Sequence, residues 1–106
     1  MSPRLSIRPL TTLSDRRLAE LAAGGDERAF ETLIGRHRVA LERYCWRLGL
    51  PDHRAEDVLQ QAFTRAWLSL RRGGDVGRPR PWLYRIVHNA ALNAHRSARL
   101  RTHDSI

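Results

Sequence analysis

Arginine, asparagine and tyrosine side chains recur in one segment of the chain, residues 81 to 96, which reads PWLYRIVHNAALNAHR. On a helix, residues spaced by four, four and three share one face, and this spacing joins Arg85, Asn89, Asn93 and Arg96. Arginine contacts phosphate groups, and an asparagine amide offers a paired donor and acceptor to the edge of a base. The neighbouring Tyr84 could stack on an unpaired base. The segment therefore predicts recognition of nucleic acid through noncovalent contacts.

The preceding segment, residues 71 to 80, adds positive charge next to this helix. It contains three glycines, a proline and four arginines, a composition that predicts an exposed loop. A loop with glycines can close around an unstacked base more readily than around an intact duplex. Arg78 and Arg80 are the loop arginines nearest the helix, and we expect them to contact DNA. For Trp82 core packing is the favoured role, whereas packing and stacking both remain open for Tyr84.

Catalysis has little support in the sequence. Glu56 and Asp57 are adjacent on a predicted helix and would point about 100 degrees apart, so they cannot share a substrate proton. His88 and His95 are seven residues apart, rather than the three or four that place two imidazoles on one metal ion. No glycine-rich phosphate loop follows a strand. We expect neither an enzyme nor a metal or cofactor.

The charge of the chain is divided unevenly. The formal net charge of +8 comes from nineteen arginines, because the sequence has no lysine. Residues 71 to 106 carry eight arginines against two acids, whereas residues 52 to 70 carry two arginines against three acids. A basic C-terminal part predicts a polyanionic partner, either nucleic acid or an acidic membrane surface. The middle segment, residues 52 to 70, is expected to contact a different partner. The alternative is a basic surface that only keeps the protein in solution.

Cysteine usage and hydropathy indicate the compartment. The single Cys45 cannot form an intramolecular disulfide or a Cys-based zinc site, and core packing is its expected role. No apolar run is long enough for a membrane span, and the N-terminus lacks the apolar stretch of a signal peptide. We therefore expect a cytoplasmic protein without membrane contact.

Four helices are predicted, a short one followed by three longer ones. A residue that can cap a helix precedes each of the first three: Ser14, Asp26 and Asp52. The first helix covers Asp15 to Ala23 and ends at two glycines, and the second ends at Gly49. Prolines at 79 and 81 set the entry of the fourth.

Apolar residues repeat at spacings of three and four in these segments, and no strand-type alternation stands out. The fourth helix should bury Leu83, Ile86, Val87, Ala90 and Ala94. His37 lies on the apolar stripe of the second helix and is expected to be a core or boundary residue. The sequence thus predicts an all-α fold, a compact bundle of three main helices plus a short N-terminal helix. Its core is expected around Phe30, Leu41, Tyr44, Phe63, Trp67 and Trp82.

The third predicted helix carries a polar strip opposite its apolar face. The strip consists of Glu56, Asp57, Gln60, Gln61, Thr64 and Arg65. Its two acids also favour a helix N-terminus electrostatically, so a purely structural role is an equal alternative. As a binding surface, the strip suits a basic protein.

Two other function classes remain possible. The turn at LGLP, residues 48 to 51, could belong to a helix-turn-helix repressor that binds duplex DNA as a dimer. Charge argues against this, because Glu56 and Asp57 would lie at the N-terminal part of the recognition helix and meet phosphates. A helical protein-interaction module with a solubilising basic tail is the third hypothesis.

Two motifs carry a resemblance to a known family. AEDVLQQAFTRAW, residues 55 to 67, and PWLYRIVHNAALNAHR occur in the same order and at a similar separation in region two of bacterial RNA polymerase sigma factors of the extracytoplasmic-function (ECF) type. The chain resembles this family from about Asp26 to Arg99. AEDVLQQAFTRAW is similar to the core-polymerase-binding helix of the family, and PWLYRIVHNAALNAHR is similar to its promoter-melting and minus-ten-recognition helix.

The resemblance implies partners for both helices. Asp57 and Gln60 match family positions that contact the clamp helices of the polymerase beta-prime subunit, and Glu56, Gln61 and Arg65 would flank this contact. The family positions that hold the single-stranded non-template strand of the minus-ten element, with bases turned out of the stack, are matched by Tyr84, Arg85, Asn89 and Asn93. The family also implies an anti-sigma factor. Val39, Trp46 or Leu68 would be suitable contacts for it if they are exposed.

Two features depart from the family pattern. Family members usually carry an aromatic residue in the loop before the Trp-Leu motif, and GGDVGRPR, residues 73 to 80, has none. A pocket for a flipped base would then be remodelled or use arginine stacking. In addition, the family continues to a domain that reads the minus-thirty-five element. Residues 1 to 106 are then either an excised domain, which we favour, or an unusual short form.

The predicted organisation has three parts. Residues 1 to 13 are expected to be a flexible arm, residues 14 to 98 the helical domain, and residues 99 to 106 the start of a linker or a disordered tail. No strong apolar seam remains after the core is assigned. A monomer is therefore expected.

Overall fold

A computed structural model describes residues 9 to 104, and the side chains of residues 9 to 100. A short 3-10 helix, Leu10–Thr12, precedes four α-helices: α1 (Asp15–Ala23), α2 (Glu27–Arg47), α3 (Asp52–Arg71) and α4 (Pro79–Asp104). No strand occurs within residues 9 to 104. The predicted all-α bundle of one short and three long helices is confirmed. None of the described helices is long and apolar enough to cross a membrane.

Side chains cap the first two helices as the sequence predicts. The Ser14 hydroxyl accepts a hydrogen bond of 3.1 Å from the Arg17 amide, and the Asp26 carboxylate accepts one of 3.0 Å from the Ala29 amide. Both bonds satisfy an amide that has no partner within its own helix.

The predicted capping role of Asp52 is wrong. Pro51 is the N-cap of α3, and no side chain completes this cap. Asp52 is instead the first helical residue, because the extended backbone of Pro51 already points the chain into the helix and its carbonyl accepts from the Ala55 amide at 2.8 Å. The Asp52 carboxylate still favours the helix N-terminus through the helix dipole.

Glycines with left-handed backbone conformations close the two turns that follow α1 and α2. Gly25 has φ 104° and Gly49 has φ 89°, values that residues with a Cβ rarely adopt. After α2, the His95 Nε2 lies 2.7 Å from the Leu48 carbonyl oxygen. This contact satisfies a carbonyl at the end of α2 and ties it to α4.

Helix α3 lies at the centre of the core and packs against α1, α2 and α4. Its buried residues are Ala55, Val58, Leu59, Ala62, Phe63, Ala66 and Leu70. Of the six predicted core residues, Leu41, Phe63 and Trp82 are buried. The other three, Phe30, Tyr44 and Trp67, are half-buried and pack against the outside of the core. The predicted core role of Trp82 is confirmed.

Helix α4 differs from its prediction in both extent and buried face. It begins at Pro79 and continues to Asp104, six residues beyond the end of the recognisable pattern at Ala98. Ala91, which the predicted stripe omits, is fully buried, whereas Ile86 and Ala94 are only half-buried. Alanine is compatible with both the buried and the exposed face of a helix, so the sequence does not show whether Ala91 is buried. Only the packing of the helices shows it.

The predicted N-terminal arm, residues 1 to 13, lies partly outside the described residues. Within the described part, Leu10 and Leu13 pack against the core, so residues 9 to 13 differ from the prediction. The Arg36 guanidinium holds this segment by donating to the Leu10 and Thr11 carbonyl oxygens at 3.3 and 2.9 Å.

A polar cluster joins α1 to α2. The Asp15 carboxylate lies 3.0 Å from Arg36 Nη1 and 2.7 Å from His37 Nε2. Burial acts to raise the pKa of Asp15, but hydrogen bonds from His37 and Arg36 outweigh it and hold the pKa below its usual value. His37 is thus a half-buried boundary residue, as predicted.

Candidate nucleic-acid and protein interfaces

The polar face of α4 is exposed along its length. Arg85, Asn89, Asn93 and Arg96, termed the basic strip, lie opposite the buried Leu83, Val87 and Ala90. Among the described side chains, none hydrogen-bonds either asparagine amide. The strip therefore presents two guanidinium groups and two amides to a partner, because the fold does not use them.

Tyr84 is fixed beside the basic strip by aromatic packing. Its ring meets Tyr44 of α2 edge to face, with centroids 5.1 Å apart. The Tyr44 hydroxyl lies 2.7 Å from His88 Nδ1, which holds Tyr44 in place. On the other side, the Arg80 guanidinium lies 5.8 Å from the Tyr84 ring centre. Tyr84 therefore packs and remains half-exposed, so both roles left open by the sequence are compatible with its position.

The predicted loop between α3 and α4 is shorter than its sequence suggests, because Pro79 and Arg80 already belong to α4. Asp75 stabilises the turn by accepting from the Gly77 amide at 2.9 Å, and Gly77 has φ 62°. The exposed Arg78 and Arg80 then line one surface cleft together with Asp15 and Arg16 of α1. The structure thus brings Arg78 and Arg80 of the predicted site together.

Another arginine of this region has a structural role. Arg71 Nη1 donates to the Ala23 carbonyl oxygen at 2.8 Å and so satisfies the C-terminus of α1. Its guanidinium also lies 6.0 Å from the Trp67 ring centre.

The polar strip of α3 is exposed as well. Glu56, Asp57, Gln60, Gln61, Thr64 and Arg65 lie opposite the buried residues of α3 and are termed the acidic strip. No ion pair joins its carboxylates to any side chain among residues 9 to 100. The Gln60 backbone carbonyl accepts from the Thr64 hydroxyl at 3.0 Å, and the Gln60 side chain makes no hydrogen bond to a described side chain.

Sequence reasoning missed two acids on α2 that extend this surface. Glu27 and Glu31 line a cleft together with Gln60 and Thr64 of the acidic strip. The floor of the cleft contains the Phe30 and Trp67 rings, whose centroids are 5.3 Å apart. The spacing of Glu27 and Glu31 places them on one face of α2, but only the packing shows that this face adjoins α3.

The three apolar residues considered for a protein partner are exposed. The exposed fractions are 59% for Val39, 45% for Trp46 and 46% for Leu68. Cys45, in contrast, is fully buried, and burial together with the Glu42 charge raises the pKa of its thiol. Its predicted packing role is confirmed, because a buried protonated thiol is unreactive.

Comparison with known families identifies the family to which the chain belongs. The model of the sigma-70 region 2 family matches residues 33 to 101, about two thirds of the chain. The chain belongs to the sigma-70 region 2 family. The matched residues include all of α3 and the whole basic strip. The resemblance inferred from the two motifs is thereby confirmed.

Curated relatives of this sigma-70 region 2 chain are named sigma factors. The RNA polymerase sigma factor CnrH of Cupriavidus metallidurans is 42% identical over 89 residues, which are 83% of this chain and 46% of CnrH. The ECF RNA polymerase sigma factor SigL of Mycobacterium tuberculosis (strain H37Rv) is 37% identical over 81 residues, which are 76% of this chain and 46% of SigL. The chain thus spans about half the length of the curated relatives it matches.

A solved structure shares the fold. CnrH in complex with the cytosolic domain of CnrY matches with a TM-score of 0.69 and 41% identity, covering 82% of this chain and 58% of that chain. The helical arrangement described above is therefore that of a sigma factor solved with a protein partner.

Proposed function

We propose that this chain is the part of an ECF sigma factor that binds core RNA polymerase through α3 and recognises and melts the promoter minus-ten element through α4. The observation that carries the proposal is the pair of exposed strips, one acidic and one basic, on two neighbouring helices of a sigma-70 region 2 fold. Neither strip is used by the described core. No bond is made or broken in this function, and it acts where the polymerase transcribes, in the cytoplasm.

The acidic strip supports polymerase binding. Asp57 and Gln60 match the family positions implied in contacting the beta-prime clamp helices, and both are exposed. Glu27 and Glu31 add negative charge along the adjoining cleft. A basic helical surface would meet complementary charge here, which speeds association and selects the partner.

The basic strip and its neighbours support recognition of melted DNA. Arg78, Arg80, Arg85 and Arg96 offer phosphate contacts, and Asn89 and Asn93 offer amides to base edges. Tyr84 lies between Arg80 and the strip with part of its ring exposed. A single strand with its bases turned out can use all three kinds of contact, whereas a duplex hides the stacking faces of its bases.

A protein partner for the free chain is part of this proposal. Val39 and Leu68 expose apolar surface on α2 and α3. CnrH has been solved with the cytosolic domain of CnrY, and we infer that an anti-sigma factor covers exposed surface of this chain in a similar way. Without such a partner, the chain is expected to be a monomer.

The replacement Asn89→Ala tests the DNA-binding half of the proposal. It should weaken binding of single-stranded minus-ten oligonucleotides by about 1 to 3 kcal/mol, because a bidentate contact to a base edge is lost. Fluorescence anisotropy with labelled oligonucleotides measures this change. Gln61→Ala is the matched control, since it removes a similar amide from the acidic strip and should leave DNA affinity unchanged.

Unchanged DNA affinity of correctly folded Asn89→Ala would contradict the role of α4. Preference of the wild type for duplex over melted DNA, together with dimerisation, would support the repressor hypothesis instead. Circular dichroism confirms that each variant keeps its helix content.

A further inference from the structure

A second basic surface lies between α2 and the N-terminal turns of α4. It is a groove of about 600 Å³, termed the α2–α4 groove, and it is lined by Ala40, Arg43, Trp46, Arg47, Arg80 and Tyr84. Three of its six residues are arginines, two are aromatic and none is acidic. Sequence reasoning placed only Arg80 and Tyr84 at a DNA-binding site and considered Trp46 as a contact for an anti-sigma factor.

The charges of the groove are free to bind a ligand. Arg43, Arg47 and Arg80 are all exposed, and none of them forms an ion pair with a described carboxylate. Arg43 and Arg47 are four residues apart on α2, so their guanidinium groups lie on the same face one turn apart. This arrangement matches the repeated phosphates of an extended polyanion.

Trp46 gives the groove a stacking surface. Its side chain is 45% exposed, whereas Trp82 is buried and Trp67 is half-buried against Phe30. The contribution of Trp46 to the core is therefore small. Guanidinium groups beside an exposed indole are the combination with which proteins bind single-stranded nucleic acid without sequence preference.

The groove is continuous with the DNA surface proposed for α4. Arg80 and Tyr84 line the groove, and Arg80 also lines the cleft that contains Arg78. A strand that follows Arg78, Arg80 and Tyr84 would therefore reach Trp46 and Arg43 without leaving positively charged surface.

We propose that the α2–α4 groove binds single-stranded DNA, with Arg43 and Arg47 on phosphates and Trp46 stacked on an unpaired base. This inference rests on the proposed function, because the strand is the continuation of the one held by α4. It extends the DNA path to a helix outside the two motifs that carry the family resemblance. An acidic protein segment is the competing occupant. It would use the arginines and any apolar side chain at position 46, whereas a stacked base requires a flat aromatic ring.

The test measures binding of a labelled oligo(dT) of about 12 nucleotides to the chain at low salt by fluorescence anisotropy. Oligo(dT) has no promoter sequence and so reports phosphate and stacking contacts alone. Trp46→Ala should weaken binding about fivefold to a hundredfold, the range measured when a stacked aromatic residue is removed. Trp46→Phe should retain most of the affinity, whereas Trp46→Leu, which is apolar but cannot stack, should behave like Trp46→Ala.

The phosphate contacts are tested by charge reversal on α2. Arg43→Glu should weaken binding and reduce the slope of log K against log salt by about 0.7, the value for one lost phosphate contact on a single strand. Arg28→Glu is the matched control, because it makes the same charge change on the same helix about 22 Å away. It should have a clearly smaller effect on affinity and slope.

Equal binding by wild type, Trp46→Ala and Arg43→Glu would overturn the groove as a DNA site. Equal loss in Trp46→Ala and Trp46→Phe, or in Arg43→Glu and Arg28→Glu, would also overturn it. Binding of the same variants to core RNA polymerase separates the two proposals. If polymerase binding and the Asn89→Ala effect persist while the groove variants are neutral, only the groove assignment fails; if the wild type binds neither DNA nor polymerase, the proposed function fails with it.

Discussion

Helices α3 and α4 both pack one face into the core, but the polar residues on their exposed faces differ. Each buries one apolar stripe, and the two stripes pack against each other in the core. The face left in solvent carries two carboxylates, two glutamines, a threonine and an arginine on α3, but two arginines and two asparagines on α4. Since the core would tolerate either set, we propose that the difference reflects what each helix contacts outside the fold.

The contrast also separates acids that hold the fold together from acids that remain free. Asp15 and Asp26 are engaged by His37 with Arg36 and by the Ala29 amide respectively. Asp57 has no such partner among the described side chains. A carboxylate that the fold does not use is available to a polymerase surface.

Substitutions on the buried and exposed faces of α3 should differ most in their effect on the free energy of unfolding. Leu59→Ala should lower the free energy of unfolding by about 2 to 5 kcal/mol, because a fully buried side chain leaves a cavity in the centre of the bundle. Gln60→Ala on the neighbouring exposed position should change it by less than about 0.5 kcal/mol. Chemical denaturation followed by circular dichroism gives both values. A similar loss in the two variants would mean that the acidic strip is part of the core.

Substitutions at the N-terminal ends of α2 and α3 should show a smaller difference in their cost to stability. Asp26→Ala removes a capping hydrogen bond and should cost about 1 kcal/mol of stability. Asp52→Ala removes only a favourable charge in the first helical turn and should cost less, about 0.3 to 1 kcal/mol. Added salt should reduce the effect of Asp52→Ala more than that of Asp26→Ala. The reverse order of the two costs would show that Asp52 is the cap.

The engaged Asp15 should make the stability of the protein depend on pH. Because the pKa of Asp15 is lowered in the fold from an ordinary value of 3.8, its contribution is present at neutral pH and is lost as the pH falls below that value. Asp15→Asn should therefore destabilise the protein at pH 7, by less than about 1 kcal/mol, and less at lower pH. Unfolding curves between neutral and acidic pH measure this difference. A constant difference down to pH 2 would contradict the assigned contact, and Asp57→Asn should not alter stability.

Local signals made much of the fold predictable. The caps Ser14 and Asp26 and the left-handed Gly49 depend on hydrogen bonds and backbone angles within a few residues, so their sequence positions are sufficient. The start of α3 was misassigned because Pro51 and Asp52 both suit a helix start, and only the backbone shows which of them is the cap. The end of α4 was missed because residues 99 to 104 continue the helix without an apolar stripe.

The candidate site was predictable along each helix but not between helices. Periodicity places Arg85, Asn89, Asn93 and Arg96 on one face, and the structure shows that face exposed. No local sequence pattern shows which helices pack against α2. Arg43 and Arg47 adjoin the proposed DNA surface, and Glu27 and Glu31 adjoin the acidic strip, only because α2 packs against α4 on one side and α3 on the other.

A titration of the chain against purified bacterial core RNA polymerase, with wild type beside Asp57→Arg, tests the assignment of the two strips most directly. Glu20→Arg is the control, because it reverses an exposed acid on α1 whose contact is a solvent-exposed ion pair with Arg17. We expect Asp57→Arg to weaken polymerase binding about tenfold or more, while Glu20→Arg binds like the wild type and both variants keep their affinity for single-stranded DNA. Equal polymerase binding by Asp57→Arg and the wild type would contradict this assignment.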